Sequence, residues 1–298
     1  MPDPGDKDVA PAVGDIVPGV MTEYLTDDWA FFLKSARQFE KFKSPFQALE
    51  VHDTAQFGKL FRIDGHFMTS EKDEFFYHEN LVHLPAITHP APGSALIVGG
   101  GDGGSAEELL KHPSIKSVTL CEIDLAVVDI SRKYLQKVHH GAFDDSRLSL
   151  RIEDGFAFVR NAAEQYDLIV LDLTDAGGPS EALYTREFYR ACALRLRPNG
   201  AMTLHIGSPI AHPERIREAL ASLRSAFAVV TPYLVSVPLY GGMWMMACCS
   251  ASLDAKAMSI LDVDRRLAQR GIGNLQYYNG DMHRAALALP NFVRALVA

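Results

Sequence analysis

Short alternating runs of apolar and polar residues mark the first part of the chain, and longer apolar runs follow. Between residues 46 and 69, short alternating runs are split by Gly58 and by Asp64-Gly65, and Asp-Gly between such runs is a signal for a hairpin turn. This pattern predicts a small antiparallel sheet. Residues 74–84 have the pattern of a helix, which we expect to end at Pro85.

After Pro92-Gly93 the pattern becomes a regular alternation of strand-like and helical runs. The strand-like runs are 95–98, 118–121, 148–152 and 168–171, and helical runs at 105–111, 125–135 and 156–163 follow the first three. Such alternation builds a parallel sheet with helices on both faces. Within residues 226–249, prolines and a Gly-Gly pair interrupt a long apolar run, so we expect two strands and a turn there rather than a membrane span.

Composition narrows the class of protein and its partners. The 298 residues are 48% hydrophobic, enough to fill a large core, and 37 acidic against 29 basic residues give a formal net charge of -8. This balance argues against nucleic acid or an anionic membrane as a partner and favours cationic ligands. We expect a flexible tail at 1–20, an N-terminal β domain at 21–85 and a larger α/β domain at 86–298. No basic-then-apolar secretory pattern opens the chain, so we expect a cytoplasmic protein.

Cysteine and histidine spacing gives no sign of a metal site. The cysteines stand at positions 121, 192, 248 and 249, without a Cys-x-x-Cys pair, and the eleven histidines include no pair with zinc-binding spacing. We therefore expect buried thiols and no metal.

Glycine or an acidic residue follows each of the four predicted parallel strands. In order these are the Gly99–Gly104 turn, Glu122, Asp154-Gly155 and Asp172. Because ligands bind outside the carboxyl ends of strands in open parallel sheets, we expect one site at this edge. A helix cap is the alternative interpretation for each acid alone, and above all for Asp154.

The glycine turn contains a carboxylate at its centre. Gly99, Gly101 and Gly104 satisfy G-x-G-x-x-G, and Glu122 stands where dinucleotide-binding folds place the acid that binds ribose hydroxyls. Nicotinamide enzymes and adenosyl-cofactor transferases share that pattern. Glycine turns at helix N-termini attract anions, whereas Asp102 would repel a pyrophosphate or an amino-acid carboxylate. We therefore expect a cationic ligand, unless Asp102 points outward as an ordinary turn residue.

A second acidic pair follows the fourth strand. Asp172 and Asp175 precede a Gly-Gly-Pro-Ser segment that is typical of a mobile lid. With Asp102 and Glu122 nearby, these carboxylates predict a strongly negative pocket whose pKa values would rise unless cations occupied it. Polyamines are such cations, and an exposed turn with ordinary capping is the alternative.

Eight segments in order, from about Met21 onward, resemble the polyamine aminopropyltransferases. They are SPFQALEV, LFRIDG, TSEKDEFFYHE, LIVGGGDGGSAEELLKH, CEID, EDGFAFV, DLTDAGGPSEALYT and YYNGDMHRAALALP. The resemblance implies an α/β fold with a Rossmann-like, doubly wound parallel sheet and a small N-terminal antiparallel β domain. It also implies transfer of a 3-aminopropyl group from decarboxylated S-adenosylmethionine to an amine, with release of 5'-methylthioadenosine, by a homodimer or homotetramer. Putrescine is the expected acceptor, giving spermidine; spermidine is the alternative acceptor, giving spermine or thermospermine.

The same resemblance implies roles for single residues. Asp172 matches the catalytic acid, Asp102 would bind the propylamine end of the donor and Glu122 its ribose. Donor-binding positions are Gln47, Gly99, Gly101, Asp102, Glu122, Asp154, Gly155 and Pro179. Acceptor-binding positions are Tyr77, His78, Asp172, Asp175 and Tyr240, with core packing as the alternative for the two tyrosines. The donor is a co-substrate, so neither a cofactor nor a metal is expected.

Two positions depart from the family pattern. Ala176 follows Asp175 where proline is usual, which makes acceptor choice less certain, and Glu107 stands where arginine is common, which bears on subunit contacts. Outside the family, a methyltransferase using intact S-adenosylmethionine shares the fold but has no evident need for Asp102. A nicotinamide dehydrogenase would need a catalytic histidine or a Tyr-Lys pair, and a polyamine-binding protein would keep the pocket without turnover.

Overall fold

The computed structural model describes residues 19–175 and 178–298, without the side chains of Gly178 and Pro179. Most of the predicted tail, together with Ala176 and Gly177, therefore lies outside the described residues. The N-terminal part of the described chain forms two antiparallel sheets. A hairpin consists of β1 (Val20–Thr26) and β2 (Trp29–Lys34), and a four-stranded sheet has the order β3 (Arg37–Lys43), β4 (Ala48–Thr54), β5 (Gly58–Ile63) and β6 (His66–Ser70).

The predicted Asp-Gly turn joins β5 to β6. Asp64 and Gly65 both have positive φ, 50° and 89°, as a tight two-residue hairpin requires. The hairpin β1–β2 and strand β3 were not predicted from the sequence. Burial alternates along β1, but Glu23 is buried there and Tyr24 is exposed, so the sequence shows no matching alternation of polar and apolar residues.

Helix α1 (Glu74–Thr88) continues past Pro85, so the prediction that it ends there is wrong. The residues beyond the proline are buried. Two arginines donate to the last carbonyls of α1: one lies in α8 (Ile260–Gln269), and the other is the C-cap of that helix. Arg266 donates to the carbonyls of Ile87 and Thr88, and Arg270 donates to that of Ala86. Tertiary packing thus outweighs the local preference of the residue before proline.

The larger part of the chain is built on a seven-stranded mixed sheet. Its strands are β7 (Ser94–Gly99), β8 (Ser117–Glu122), β9 (Leu148–Ile152), β10 (Tyr166–Asp172), β11 (Leu196–Gly207), β12 (Val229–Val237) and β13 (Gly242–Ser250). The order is β12-β13-β11-β10-β7-β8-β9, with five parallel strands and the pair β12–β13 added antiparallel at one edge. The predicted parallel strands and the predicted pair within residues 226–249 are therefore confirmed.

Helices cover both faces of this sheet. They are α2 (Gly104–Leu110), α3 (Leu125–Tyr134), α4 (Gln136–His139), α5 (Gly155–Asn161), α6 (Arg186–Arg195), α7 (Pro213–Arg224), α8, α9 (Gly280–Leu287) and α10 (Asn291–Val297). Alternate residues of each strand point to opposite faces, so Ile97 packs in one apolar cluster and Leu96 in the other. The predicted α/β class with a small N-terminal β region is confirmed. Helix α1 crosses the boundary we expected between residues 85 and 86.

A buried carboxylate connects α1 to the C-terminal part of the chain. Both oxygens of Glu79 accept backbone N–H groups, from Gln276 at 2.7 Å and from Tyr277 and Tyr278 at 2.9 and 2.7 Å. Glu79 is 1% exposed, so these three donors offset the cost of burying its charge.

Across the described residues, no helix is long and apolar enough to cross a membrane.

Candidate active site

The site lies where the strand order reverses between β7 and β10. Gly99 at the end of β7 pairs with Asp172 at the end of β10. The helix that follows β7 in sequence packs on one face of the sheet, and α6, after β10, packs on the other. A Cβ at Gly99 would lie 2.2 Å from the carbonyl oxygen of Asp172, and its φ of +79° also favours glycine. The glycine turn therefore brings the two strand ends into direct contact. This switch point is where α/β sheets bind ligands.

Three titratable side chains meet at this point. Nε2 of His78, from α1, lies 3.4 Å from Oδ2 of Asp102 in the glycine turn and 3.9 Å from Oδ2 of Asp172. Nδ1 of His78 lies 2.7 Å from Oε2 of Glu74, one helical turn earlier. Ser105, at the start of α2, donates its hydroxyl to Oδ2 of Asp172 at 2.7 Å. Asp102 thus points into the site, and the alternative of an outward turn residue is wrong.

The charged groups in this cluster shift one another's pKa values. Burial would lower the pKa of His78, but the charge and hydrogen bond of Asp102 and the hydrogen bond of Glu74 raise it well above its usual range. Burial also opposes ionisation of Asp102, yet His78 holds the pKa of that carboxyl below its usual value. The pKa of Asp172 is raised, by burial first and then by the negative charge of Asp102. The site therefore keeps one carboxylate firmly ionised beside another that holds a proton more readily.

Only glycine fits at position 104. A Cβ on Gly104 would lie 2.3 to 2.7 Å from ring atoms of His78. The turn from β7 into α2 thus approaches α1 closely enough to place Asp102 against the imidazole.

An open cavity with about 970 Å³ of space between its lining atoms extends from this cluster. We call it the first chamber. It is lined by eleven of the predicted site residues: Gln47, Tyr77, His78, Gly99, Gly101, Asp102, Glu122, Asp154, Gly155, Asp172 and Tyr240.

Glu122 and Gln47 form the polar wall of the first chamber. Oε1 of Glu122 accepts the backbone N–H of Asp124 at 2.9 Å, and burial raises the pKa of Glu122 to about 7. The amide of Gln47 donates to Oδ2 of Asp124 at 3.1 Å, which joins the N-terminal sheet to the loop after β8. Asp154 caps α5 by accepting the N–H of Ala157 at 2.7 Å, so the capping interpretation holds and this residue also lines the chamber.

A second chamber adjoins the first. Tyr77, Tyr240 and Met68 line both, and the rings of Tyr77 and Tyr240 meet edge to face with centroids 5.8 Å apart. Both tyrosines are therefore packed and exposed to the chambers at once. The second chamber has five carboxylate or imidazole groups that the first lacks: Glu23, Asp64, His66, Asp175 and His205.

Several residues around the second chamber were not predicted from the sequence. His205 accepts the indole N–H of Trp244 at Nδ1, 3.2 Å away, so Nε2 carries its proton and donates to the carbonyl of Leu173 at 2.8 Å. Nδ1 of His205 also lies 3.7 Å from Oδ1 of Asp175. No local sequence pattern marks these contacts. The pair Glu74 and His78, by contrast, has helical i,i+4 spacing that could have been read in advance.

His78, Asp102 and Asp172 could also hold a metal ion. One ligand atom from each lies within 4.8 Å of the others. The expectation that the protein uses no metal stays a prediction.

Comparison with known proteins agrees with this geometry. A family model described as "Spermine/spermidine synthase domain" matches residues 74–258. A polyamine aminopropyltransferase of Nitrosomonas europaea is 49% identical over 97% of this chain and 89% of its own length. One from Moorella thermoacetica is 40% identical over 92% of this chain and 94% of its own length.

This chain belongs to the spermine/spermidine synthase family. A crystal structure of spermidine synthase in complex with the transition-state analogue AdoDATO superposes with a TM-score of 0.87, at 36% identity over 93% of this chain and 94% of that one. Spermidine synthase from Thermotoga maritima superposes with a TM-score of 0.86, at 35% identity and the same coverage. The protein is therefore an aminopropyl-transferring enzyme of polyamine biosynthesis, as the sequence resemblance implied.

The structure places the family motifs of this aminopropyltransferase in one site. Eleven predicted residues line the first chamber and Asp175 lines the second, while the side chain of Pro179 lies outside the described residues. Their individual roles stay predictions.

Proposed function

We propose that the enzyme transfers the 3-aminopropyl group of decarboxylated S-adenosylmethionine to putrescine, giving spermidine and 5'-methylthioadenosine. The observation that carries this proposal is the carboxylate pair Asp102 and Asp172 at the end of the first chamber. Tyr77 and Leu173, their neighbours in the site, line both chambers, so the pair lies close to the passage between them. A dication that enters from one chamber and a second cation that enters from the other would meet there.

In this proposal the first chamber binds the donor, which enters and leaves as a co-substrate. Glu122 accepts hydrogen bonds from the ribose hydroxyls, and Gln47 and Asp154 contact the nucleoside. Asp102 binds the propylammonium end. A carboxylate in this place suits a donor that has lost its own carboxylate, because two like charges at the start of α2 would repel each other.

The reaction is an in-line displacement at carbon. The acceptor nitrogen forms a bond to the propyl carbon next to the sulfonium, the C–S bond breaks, and its electron pair neutralises sulfur. Alkylammonium has a pKa of roughly 10.4, so at pH 7 only about one acceptor amine in a thousand is neutral, at a cost of about 4 to 5 kcal/mol. Asp172 orients the amine and receives its proton as the C–N bond forms. Its raised pKa makes it a better proton acceptor than an exposed aspartate.

Putrescine fits the charges of the second chamber. Asp175 and Glu23 both line this chamber, and neither lines the first. Two carboxylates match two ammonium groups. Spermidine as the acceptor, giving spermine or thermospermine, is the second candidate.

The decisive experiment is product identification. Purified enzyme is incubated with decarboxylated S-adenosylmethionine and a mixture of putrescine, cadaverine, agmatine and spermidine, and the amines formed are identified by mass spectrometry. Spermidine as the dominant product supports the proposal, and a dominant tetraamine moves the acceptor to spermidine. Absence of both a new amine and methylthioadenosine would refute aminopropyl transfer.

The role of Asp102 is tested separately by Asp102→Asn. We expect the variant to bind the decarboxylated donor at least about tenfold more weakly, because an ammonium loses its counterion. Binding of intact S-adenosylmethionine should change far less. Equal losses for both would favour the methyltransferase interpretation.

We also propose that the enzyme is a cytoplasmic homodimer or homotetramer. Apolar side chains are exposed on the N-terminal strands at Tyr24, Trp29, Phe32 and Phe42, and a second copy would cover such a surface. Light scattering coupled to gel filtration measures the oligomeric state.

A further inference from the structure

The wall of the second chamber contains an ion pair whose histidine neither the sequence motifs nor the proposed chemistry uses. Nδ1 of His66, at the start of β6, lies 2.7 Å from Oε1 of Glu23 in β1. Oε2 of Glu23 accepts the backbone N–H of Phe67 at 2.7 Å. Glu23 is buried, whereas the His66 side chain is 54% exposed, and both line the chamber. The pair therefore faces the space that an acceptor amine would occupy.

We propose that His66 determines how strongly Glu23 binds the distal ammonium of the acceptor, and so sets acceptor affinity. This inference rests on the proposed function. When the imidazole is neutral, the charge of Glu23 is available to the ammonium. When the imidazole is protonated, its positive charge neutralises that of Glu23 and repels the ammonium.

The geometry leaves room for this competition. An ionised carboxylate has about four acceptor positions, and the contacts to His66 and Phe67 use two of them. The ammonium would share Glu23 rather than displace His66, so the effect comes from charge. A neutral side chain that still donates to Glu23 should therefore strengthen amine binding without changing the shape of the chamber.

The charged surroundings move the change to a higher pH than for a free histidine. Glu23 raises the pKa of His66 above its usual range, mainly through the hydrogen bond and against burial, with a smaller contribution from Asp175. Arg62 of β5 opposes this shift. Asp64 and His205 line the same chamber, and His205 lies beside Asp175, so both must be kept constant in any test.

The test compares the wild-type enzyme with His66→Gln, whose amide still donates to Glu23. Putrescine is titrated calorimetrically into enzyme saturated with 5'-methylthioadenosine, which prevents turnover, from pH 6 to pH 8.5. At pH 6 we expect H66Q to bind putrescine about three- to tenfold more tightly, as expected for one like charge removed at a few ångströms near a surface. The two curves should converge at high pH. In turnover, KM for putrescine should fall while kcat stays within about twofold.

Two further variants make the result specific. His140→Gln replaces an exposed histidine of a turn that contacts neither chamber, and it should bind putrescine as the wild type does at every pH. Glu23→Gln should weaken binding, and adding H66Q to it should then change the affinity for putrescine less than H66Q does in the wild-type background. Parallel pH curves for wild type and H66Q, with spermidine still formed, would overturn this inference alone. Failure to form any amine product would instead refute the proposed function and this inference with it.

Discussion

His78 and Asp102 face each other across the start of α2, with Nε2 of the imidazole 3.4 Å from Oδ2 of the carboxylate. Gly104 makes this approach possible, because any Cβ there would overlap the imidazole. The proposed donor site therefore depends on a residue that has no side chain of its own.

Gly104→Ala should displace His78 and disturb Asp102. We expect kcat/KM for the donor to fall by about 10²-fold, the cost of misplacing a binding group by roughly 1 Å. Steady-state kinetics measure the loss, and thermal unfolding shows whether the fold persists. Gly273→Ala is the matched control, since its Cβ would meet no atom within 4 Å. Equal activity of G104A and G273A would contradict the proposed geometry.

Asp172→Asn removes the proton acceptor but keeps the size of the side chain and its contact with Ser105. We expect kcat to fall by about 10²- to 10³-fold, as for loss of a general base. Affinity for 5'-methylthioadenosine should change little, because Glu122 and Gln47 remain. Retention of more than a tenth of kcat would show that Asp172 does not receive the proton.

Activity should rise between pH 7 and pH 9. The neutral fraction of an amine with a pKa of roughly 10.4 increases nearly a hundredfold over these two units. The measurement is kcat/KM for the acceptor against pH, in the wild type and in H66Q to separate the effect of His66. A flat or falling profile in both would contradict the prediction.

Glu122→Gln should stabilise the ligand-free enzyme and weaken donor binding. Burial raises the pKa of Glu122 to about 7, so the folded state favours the neutral form. Its ionisation therefore costs stability progressively as pH rises from the ordinary value near 4.5 through 7, and a glutamine avoids that cost. We expect a gain of about 2 to 3 kcal/mol at pH 8 that nearly vanishes at pH 4, measured by chemical denaturation.

The control for this variant is Glu153→Gln, an exposed neighbour at the end of β9. It should leave both stability and donor affinity nearly unchanged. If E122Q and E153Q have the same stability at pH 8, burial of Glu122 does not destabilise the fold.

The sequence was informative where a local pattern decides the structure. Strands β7 to β10 and the helices between them follow from apolar runs, and the Asp64-Gly65 turn follows from the conformations those residues adopt. The hairpin β1–β2 could not be predicted because Tyr24 and Phe32 are exposed while Glu23 is buried, so its polar and apolar residues do not follow its burial. The end of α1 was misplaced because two arginines nearly 200 residues away decide it.

The same difference between local patterns and tertiary contacts holds for the site. Asp102, Glu122 and Asp172 could be grouped from sequence because the ends of parallel strands meet at one edge of the sheet. Ser105, His205 and His66 could not, since their partners are set by tertiary contacts that leave no periodic trace. Asp154 shows that a cap and a binding position can be one residue.

The attachment of α1 also has a consequence for biosynthesis. The helix that carries Tyr77 and His78 is fixed through Glu79 by the backbone at residues 276–278, and at its other end by Arg266 and Arg270. A ribosome makes these residues after every strand of the sheet. A nascent chain that has already completed the glycine turn and all of these strands still lacks the groups that hold α1 in place, so catalytic competence should appear only after residue 278 has been synthesised.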